Sequence, residues 1–384
     1  MPCAGDDDRG ERGVGPRWEH GGVSEFQGAG APDASAEFVP PAVLDPAATL
    51  APLRHGPRDP TLRLVPDGVW RAVRLASGPA LVRLGWRRAR RPATQEASPL
   101  DRRSGGTTRG TILDPARGDR VRIEAWGPGA REAAAGVPAW LGALDDWSGF
   151  DAPAFAARLP DTVAATRRVR PGLRLPSGGS LFDTLTAIIL EQRVTGIEAH
   201  YAWARLVTRF GEAAPGPAPA TTTAAGREAR LMLPPTPEQW RRIPSWEWHQ
   251  ARVDAQRRTT IVRAAERASA LARLEAQVPA AAAAAELARL DIALRSLPGV
   301  GVWSAAETLQ RTHGAPDHVS FGDFHVAHFV GQALMGRRAD DAGMEALLAP
   351  FAGHRQRVVR LLQASGAKNP SFGPRLAPQD HRGH

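Results

Sequence analysis

Residues 297–301, with the sequence LPGVG, restrict the fold of this chain more than any other stretch. They are too few and too rich in glycine to form a core element, and the segments on either side have helical character. Pro298 presets a turn, while Gly299 and Gly301 permit a positive φ and a close approach of another backbone. We therefore predict a hairpin between two helices. An ordinary helix–helix corner with glycine caps is the alternative interpretation.

The helix that begins near Val302 would present unpaired N–H groups at its first turn. Such a helix N-terminus attracts anions, and a phosphate group suits it well. The whole chain carries a formal net charge of +9, which also favours an anionic partner such as a nucleic acid. We expect the hairpin and this helix to hold a phosphate.

A single carboxylate stands out downstream of that helix, in the string Gly322-Asp323-Phe324. Residues 324–330 have the character of a helix, so Asp323 lies at or near a helix N-cap, where aspartate is common. A plain cap is one interpretation. The order of hairpin, amphipathic helix and Gly-Asp-aromatic string is more specific than an isolated aspartate.

These residues together resemble the helix–hairpin–helix DNA glycosylases, most closely the bacterial 3-methyladenine DNA glycosylase II branch. The resemblance implies that Asp323 is the catalytic residue of an N-glycosyl hydrolase in base excision repair. It implies double-stranded DNA with damaged bases as the partner, and alkylated purines such as 3-methyladenine and 7-methylguanine as substrates. The damaged base must be flipped out of the duplex before it is cut. The DNA-binding residues that the resemblance implies in the hairpin are Pro298, Gly299, Gly301 and Val302.

Further binding positions around the hairpin follow from the same resemblance. The backbone carbonyls of Arg295, Leu297 and Val300 correspond to those that hold a monovalent cation, Na⁺ or K⁺, beside the DNA phosphate. His325 corresponds to a histidine that contacts a phosphate in some relatives. No other cofactor is implied.

The turn after the first core helix, Gln192-Arg193, corresponds to the position of an intercalating plug. Arg193 would fill the space that the flipped nucleotide leaves, whereas close relatives have an apolar wedge there. A surface arginine that closes a helix C-terminus is the alternative. Gln192 belongs to the same DNA-binding turn.

Trp303 bears on both the reaction and the substrate. The β-lyases of the superfamily need a lysine nucleophile, and they place it where this chain has Trp303, which indicates a monofunctional enzyme. The resemblance also implies that Trp303 walls the base pocket, where an indole favours a cationic purine; core packing is the alternative. Glu307 stands where the branch has a pocket aromatic, which leaves the base specificity open.

Two other functions remain open on the sequence alone. A binding module of the same architecture would recognise distorted DNA without cutting it. A glycosylase for an oxidised or deaminated base would apply the same machinery to another substrate.

The composition restricts cofactors and location. Cys3 is the only cysteine, so the chain has neither an internal disulfide nor a cysteine-ligated iron–sulfur cluster. No run approaches the roughly 18 apolar residues of a membrane helix, and the acidic N-terminus does not resemble a signal peptide. We expect a monomer in the cytoplasm with no membrane contact.

We predict a mostly α protein with four parts along the chain. Residues 1–60 are rich in Gly, Pro, Ala and acidic residues, and we predict that they are disordered. Residues 61–150 alternate in hydrophobicity and form a small antiparallel α+β domain, which a flexible loop interrupts at 87–118. Residues 170–365 form an all-helical helix–hairpin–helix glycosylase domain, and 366–384 form a disordered tail.

Three details of the helical part are specific enough to check. Ser180 is a candidate N-cap of the first core helix, which has apolar residues at helical spacing. Thr236 and Pro237 are the candidate N-cap and first residue of another helix. The basic stretch 253–274 is predicted as one long helix.

Overall fold

The computed structural model describes residues 30–88, 111–217, 230–279 and 282–367. These residues form a small antiparallel sheet on the N-terminal side and a larger set of helices, which is the predicted fold class. Within these four ranges, no helix combines the length and the apolar character that a membrane span needs.

A five-stranded antiparallel sheet is the centre of the first domain. Its strands are β1 (Ala34–Phe38), β2 (Leu62–Val65), β3 (Gly68–Leu75), β4 (Gly78–Arg87) and β5 (Arg120–Trp126). They lie in the order β1-β5-β4-β3-β2. Strands β2, β3 and β4 form the meander that the alternating sequence and its tight turns predict.

Two helices accompany the sheet, α1 (Pro46–Leu50) and α2 (Ala130–Trp140). Helix α2 packs against β3, β4 and β5, and its Val137 and Trp140 are buried there together with Leu50 of α1. Pro138 lies inside α2, and the helix ends soon after it. The apolar face of α2 therefore completes the core of the sheet domain.

Residues 30–60 are folded, which corrects the prediction that 1–60 are disordered. Strand β1 adds to one edge of the sheet, with Ala34 opposite Ala125 of β5. Its sequence, ASAEF, has weak strand propensity, so its conformation depends on the hydrogen bonds that β5 supplies. Residues 1–29 lie outside the described residues.

The predicted loop at 87–118 is also partly folded, which is a second correction. Leu113 is fully buried and forms an isolated β-bridge with Leu44. A short 3₁₀ helix, Pro115–Arg117, then leads into β5. Residues 89–110 lie outside the described part of the chain.

The second domain is built from helices. Those before the hairpin are α3 (Ser148–Asp151), α4 (Pro153–Ala156), α5 (Asp161–Val169), α6 (Leu181–Glu191), α7 (Gly196–Phe210), α8 (Pro237–Arg242), α9 (Ser245–Gln250), α10 (Ala255–Glu266), α11 (Ala268–Glu275) and α12 (Ala284–Arg295). Those after it are α13 (Val302–Thr312), α14 (Val326–Met335), α15 (Asp341–Leu348) and α16 (Arg355–Ala364). A two-stranded ribbon joins β6 (Glu212–Ala213) and β7 (Met232–Leu233). Residues 368–384 of the predicted tail lie outside the described residues.

Two hydrophobic cores divide the helices into two lobes. The first core takes residues from α6 to α13, with Leu185 and Leu294 near its centre. The second combines α3–α5 with α14–α16, and Phe150 and Leu362 are fully buried in it. The segment 145–165, which follows the sheet domain in the chain, therefore completes the second lobe. The chain between α13 and α14 passes from one lobe to the other.

The predicted helix starts are confirmed, but one predicted helix is divided. Ser180 caps α6, and Thr236 forms a capping box at α8 with Pro237 as the first helical residue. The stretch 253–274 contains α10 and α11 rather than one helix. Arg267 separates them because its backbone, at φ −102° and ψ 1°, leaves the helical conformation.

Candidate active site

The hairpin between α12 and α13 is anchored by its apolar side chains. Leu297 and Val300 are 7% and 6% exposed and belong to the core of the first lobe, whereas Pro298 and Gly299 are exposed. The N–H of Val300 donates to the carbonyl of Leu297 at 3.0 Å and closes the turn. The core therefore holds the hairpin in place while its tip faces solvent.

The two glycines of the hairpin are required for different reasons. Gly299 has a φ of +95°, and a Cβ there would lie 2.2 Å from Oγ1 of Thr260. Gly301 has a φ of −100°, and no described atom lies within 4 Å of the position of its Cβ. Gly301 thus leaves the first turn of α13 open to approach, and Val302 is exposed there. The unpaired N–H groups at this end suit a phosphate.

Gln192, the C-cap of α6, braces the hairpin. Its Nε2 donates hydrogen bonds to the carbonyl of Gly299 at 3.0 Å and to Oγ of Ser304 at 2.8 Å. Arg193 is exposed and has a φ of +56°, a conformation that residues other than glycine rarely adopt. The fold therefore brings this turn to the hairpin, and the plug role of Arg193 stays a prediction.

The carbonyls predicted to hold a monovalent cation lie along the hairpin. Within the described part of the chain, those of Arg295 and Val300 accept no backbone hydrogen bond, and that of Leu297 accepts one. Free carbonyl oxygens are suitable ligands for Na⁺ or K⁺. The carbonyls of Arg295 and Val300 are free in this sense, and the cation site at the three residues stays a prediction.

Asp323 lies between α13 and α14, and its two carboxylate oxygens have separate partners. Oδ1 accepts hydrogen bonds from the backbone N–H groups of His325 and Val326, at 2.7 and 2.9 Å. These bonds confirm that Asp323 lies near the N-cap of α14, which is His325, because they satisfy N–H groups at the start of that helix. Oδ2 accepts a hydrogen bond from Nε1 of Trp303 at 3.0 Å. The tryptophan on α13 thus holds the carboxylate in one orientation.

Two exposed rings flank Asp323 on the solvent side. Phe324 is 73% exposed, and its ring meets that of His325 edge-on with the centroids 4.9 Å apart. His325 is exposed as well, so a phosphate can reach it, and its predicted phosphate contact stays a prediction. Sequence analysis did not select Phe324 as a site residue, although its place between Asp323 and His325 was an available signal.

A cavity of about 340 Å³ lies next to two residues that are hydrogen-bonded to Asp323, although Asp323 itself does not line it. Ser320 and Val326 line it, and both are bonded to Asp323: its N–H donates to the carbonyl of Ser320 at 3.3 Å, and its Oδ1 accepts from the N–H of Val326. The volume falls within the range of about 300–1,000 Å³ that is usual for ligand pockets. Beside Ser320, the polar residues that line the cavity come from α13 and α16 and are Glu307, Gln310, Arg311, Gln356, Arg360 and Gln363.

Of the two predicted base-pocket residues, Glu307 lines this cavity and Trp303 does not. Glu307 forms an ion pair with Arg311 and accepts a hydrogen bond from the hydroxyl of Ser320. Burial acts to lower the pKa of Arg311, but the carboxylates of Glu307 and Glu191 raise it above its ordinary value. Both oxygens of Glu307 are therefore engaged by neighbouring donors.

Arg360 on α16 is the second guanidinium of the cavity. Burial lowers its pKa to about 10, so it remains protonated at neutral pH. Its Nη1 donates to Oε1 of Gln363 at 3.0 Å and its Nη2 to the carbonyl of Ala48 at 3.2 Å, and both partners are neutral. Its Nε is buried without a hydrogen-bond partner among the described residues. Sequence reasoning missed Arg360, although Gln356, Arg360 and Gln363 recur at helical spacing, which was the available signal.

These elements define a class of fold. A helix–hairpin–helix unit followed by a carboxylate, inside a helical domain that follows a small antiparallel sheet, is the architecture of the helix–hairpin–helix DNA glycosylases. Comparison with solved structures shows that the chain has this fold. The chain matches no protein-family model, and no curated protein matches it.

Two solved proteins illustrate the likeness. A 3-methyladenine DNA glycosylase from Archaeoglobus fulgidus aligns with a TM-score of 0.59 at 13% identity, over 86% of this chain and 98% of its own. An 8-oxoguanine glycosylase/lyase from Clostridium acetobutylicum in its apo form aligns with a TM-score of 0.54 at 10% identity, over 87% of this chain and 99% of its own. The two are named for different substrates, so the shared fold by itself does not indicate a substrate.

Proposed function

We propose that this chain is a monofunctional DNA glycosylase, which flips a damaged nucleotide out of duplex DNA and hydrolyses its N-glycosidic bond. The observation that carries the proposal is the placement of Asp323. Its carboxylate is oriented by Trp303, and two residues bonded to Asp323, Ser320 and Val326, line a cavity, within the fold of the helix–hairpin–helix DNA glycosylases. The enzyme acts as a monomer in the cytoplasm, in base excision repair.

The carboxylate of Asp323 suits the chemistry at the anomeric carbon. Cleavage of an N-glycosidic bond builds positive charge on the sugar, as in glycoside hydrolysis. A nearby carboxylate stabilises that charge and orients or deprotonates the attacking water. The hydrogen bond from Trp303 restricts the rotation of the carboxylate, so the group is already aimed when the substrate arrives.

The hairpin supplies the grip on the DNA backbone. The open first turn of α13, together with Pro298, Gly299 and Gly301, holds one phosphate without reading the sequence. A monovalent cation on the carbonyls of the hairpin would strengthen that contact. Arg193, exposed beside the hairpin, fills the gap in the base stack, and His325 contacts the phosphate near the lesion.

The reaction is hydrolysis alone, without strand cleavage. A β-lyase forms a Schiff base through a lysine. The position that holds this lysine in the lyases is Trp303 here, and its indole is engaged with Asp323. Lys368 is the only lysine in the sequence, and it lies outside the described residues.

Two substrate classes remain candidates for the excised base. Resemblance to the glycosylase II branch favours alkylated purines such as 3-methyladenine and 7-methylguanine. A second candidate is an oxidised or deaminated base, and the two guanidinium groups of the cavity, Arg311 and Arg360, favour it.

The products formed from duplexes with single defined lesions test the proposal. A panel containing 7-methylguanine, 8-oxoguanine and hypoxanthine is incubated with the enzyme. We expect release of a free base and an abasic strand that breaks only after alkali. Strand breakage without alkali would instead indicate a lyase. Tight binding without base release would indicate a non-catalytic damaged-DNA-binding protein.

A further inference from the structure

The cavity beside Asp323 lacks the features that a cationic base needs. None of the described residues that line it is aromatic, so no ring stacks on the base or attracts its charge. Among the described residues, the charged groups that line it are the carboxylate of Glu307 and the guanidinium groups of Arg311 and Arg360. The lining therefore carries a net positive charge.

The charge of the carboxylate that lines the cavity is already offset. Glu307 is paired with Arg311 and accepts the hydroxyl hydrogen of Ser320. Arg360, in contrast, donates only to neutral partners, Gln363 and the carbonyl of Ala48, so no carboxylate among the described residues pairs with it.

From this arrangement we infer that the cavity selects an uncharged base that carries carbonyl oxygens, as in an oxidised or deaminated purine, and discriminates against N-methylated cationic purines. The inference rests on the proposed glycosylase function. A carbonyl oxygen of the base is attracted by the guanidinium charge of Arg360. A fixed positive charge on the base would be repelled by the same group.

Arg360 also meets a requirement that a neutral leaving base imposes. The C1′–N bond breaks with its electron pair moving to the base, so a neutral base departs as an anion whose charge spreads onto its carbonyl oxygens. Arg360 stabilises that anion, and Asp323 stabilises the positive charge left on the sugar. Water then bonds to C1′ and loses one proton through Asp323 to solvent, and the base takes up one proton from solvent. A cationic methylated purine departs as a neutral base and gains nothing from Arg360.

Single-turnover excision rates on two matched lesions test the inference. 7-Methylguanine and 8-oxoguanine share the guanine framework and a carbonyl oxygen but differ in ring charge, and each rate is divided by the enzyme-free rate. For the wild-type enzyme we expect an enhancement at least about tenfold larger for 8-oxoguanine or for hypoxanthine than for 7-methylguanine. In Arg360→Gln the enhancement for the neutral bases should fall by about 10²–10³-fold, and that for 7-methylguanine should change less than about threefold.

The control variant is Arg168→Gln, because Arg168 is an exposed arginine in the last turn of α5. It should retain wild-type rates on both lesions, and thermal unfolding shows whether each variant is folded. A wild-type preference for 7-methylguanine would overturn the inference and leave the glycosylase function intact. An equal loss on both lesions in Arg360→Gln would also overturn it. Absence of base release from every lesion would overturn the proposed function itself.

Discussion

The indole N–H of Trp303 donates a hydrogen bond to Oδ2 of Asp323 across 3.0 Å. Trp303 belongs to the first turn of α13, whose open end is the predicted phosphate site. One side chain thus joins the group that would grip the DNA backbone to the carboxylate that would act on the sugar. Hydrolysis of a bond in the bound DNA requires a fixed distance between the group that binds the backbone phosphate and the catalytic carboxylate.

Trp303→Phe tests this connection. The substitution keeps an aromatic ring but removes the donor, so the carboxylate loses its orientation while its charge remains. We expect the single-turnover excision rate to fall about 10- to 100-fold, with DNA affinity little changed. Trp246→Phe is the control, because Trp246 is 63% exposed. Equal rates in Trp303→Phe and the wild type would show that the bond has no part in catalysis.

Gln192→Ala tests whether the turn after α6 supports the hairpin. The variant leaves the carbonyl of Gly299 and the hydroxyl of Ser304 without the donor that they now share. We expect a loss of about 1–3 kcal/mol in the free energy of unfolding, together with weaker binding to duplex DNA. Chemical denaturation and a binding titration measure the two effects. Gln277→Ala, at an exposed position, is the control and should change neither the free energy of unfolding nor the affinity for DNA. If Gln192→Ala also left both quantities unchanged, Gln192 would not support the hairpin.

The two hairpin glycines provide a matched pair. In Gly299→Ala the new methyl meets Thr260 in a backbone conformation of positive φ, so we expect the free energy of unfolding to fall by about 1–3 kcal/mol. In Gly301→Ala the methyl has open space, so stability should stay within about 0.5 kcal/mol of the wild type. Gly301→Ala should nevertheless weaken DNA binding, because the methyl obstructs the approach of a phosphate. If Gly301→Ala bound DNA as tightly as the wild type, the prediction that a phosphate binds at this end of α13 would be wrong.

Acid should destabilise the fold through His313, which ends α13. Burial lowers the pKa of His313 from its ordinary value of 6.5 to about 4, so the folded state disfavours the charged form. The contribution of uncharged His313 to the free energy of unfolding is fully present above pH 6.5, and it is lost progressively as the pH falls towards 4. At pH 5 the loss is about 2 kcal/mol.

The free energy of unfolding at pH 7 and pH 5 measures this effect. In His313→Asn the acid-induced loss should be smaller by about 2 kcal/mol than in the wild type. His325→Asn is the comparison, because His325 is exposed and should leave the acid-induced loss unchanged. If the free energy of unfolding fell equally in His313→Asn and the wild type between pH 7 and pH 5, the acid sensitivity would not come from His313.

The sequence predicted the structure best where a feature depends on residues that lie close together along the chain. The caps at Ser180 and Thr236, the meander and the LPGVG hairpin all follow from local signals, because each is specified within a few residues. Asp323 was found in the same way, since a capping aspartate after a glycine is visible in the sequence. Its second partner, Trp303, was selected for another role, because only the fold shows that the two side chains meet.

Features that depend on distant segments were missed. Strand β1 has little intrinsic strand propensity and is ordered by β5, which lies far along the chain. The cavity is lined by residues of both α13 and α16, so the position of Arg360 opposite the Glu307–Arg311 pair depends on segments that lie far apart in the sequence. The division of 253–274 into two helices rests on the backbone of Arg267, which hydrophobic periodicity does not report.

Asp323→Asn tests the central claim most directly. Asparagine keeps an oxygen that accepts from the N–H groups of His325 and Val326, so the variant preserves the start of α14. It removes the negative charge and the acceptor of the hydrogen bond from Trp303. On one lesion duplex that the wild type cleaves, we predict that single-turnover excision falls by at least about 10²–10³-fold, while the dissociation constant for the same duplex changes less than about threefold. Excision at the wild-type rate by Asp323→Asn would contradict the account, because the carboxylate would then have no part in the reaction.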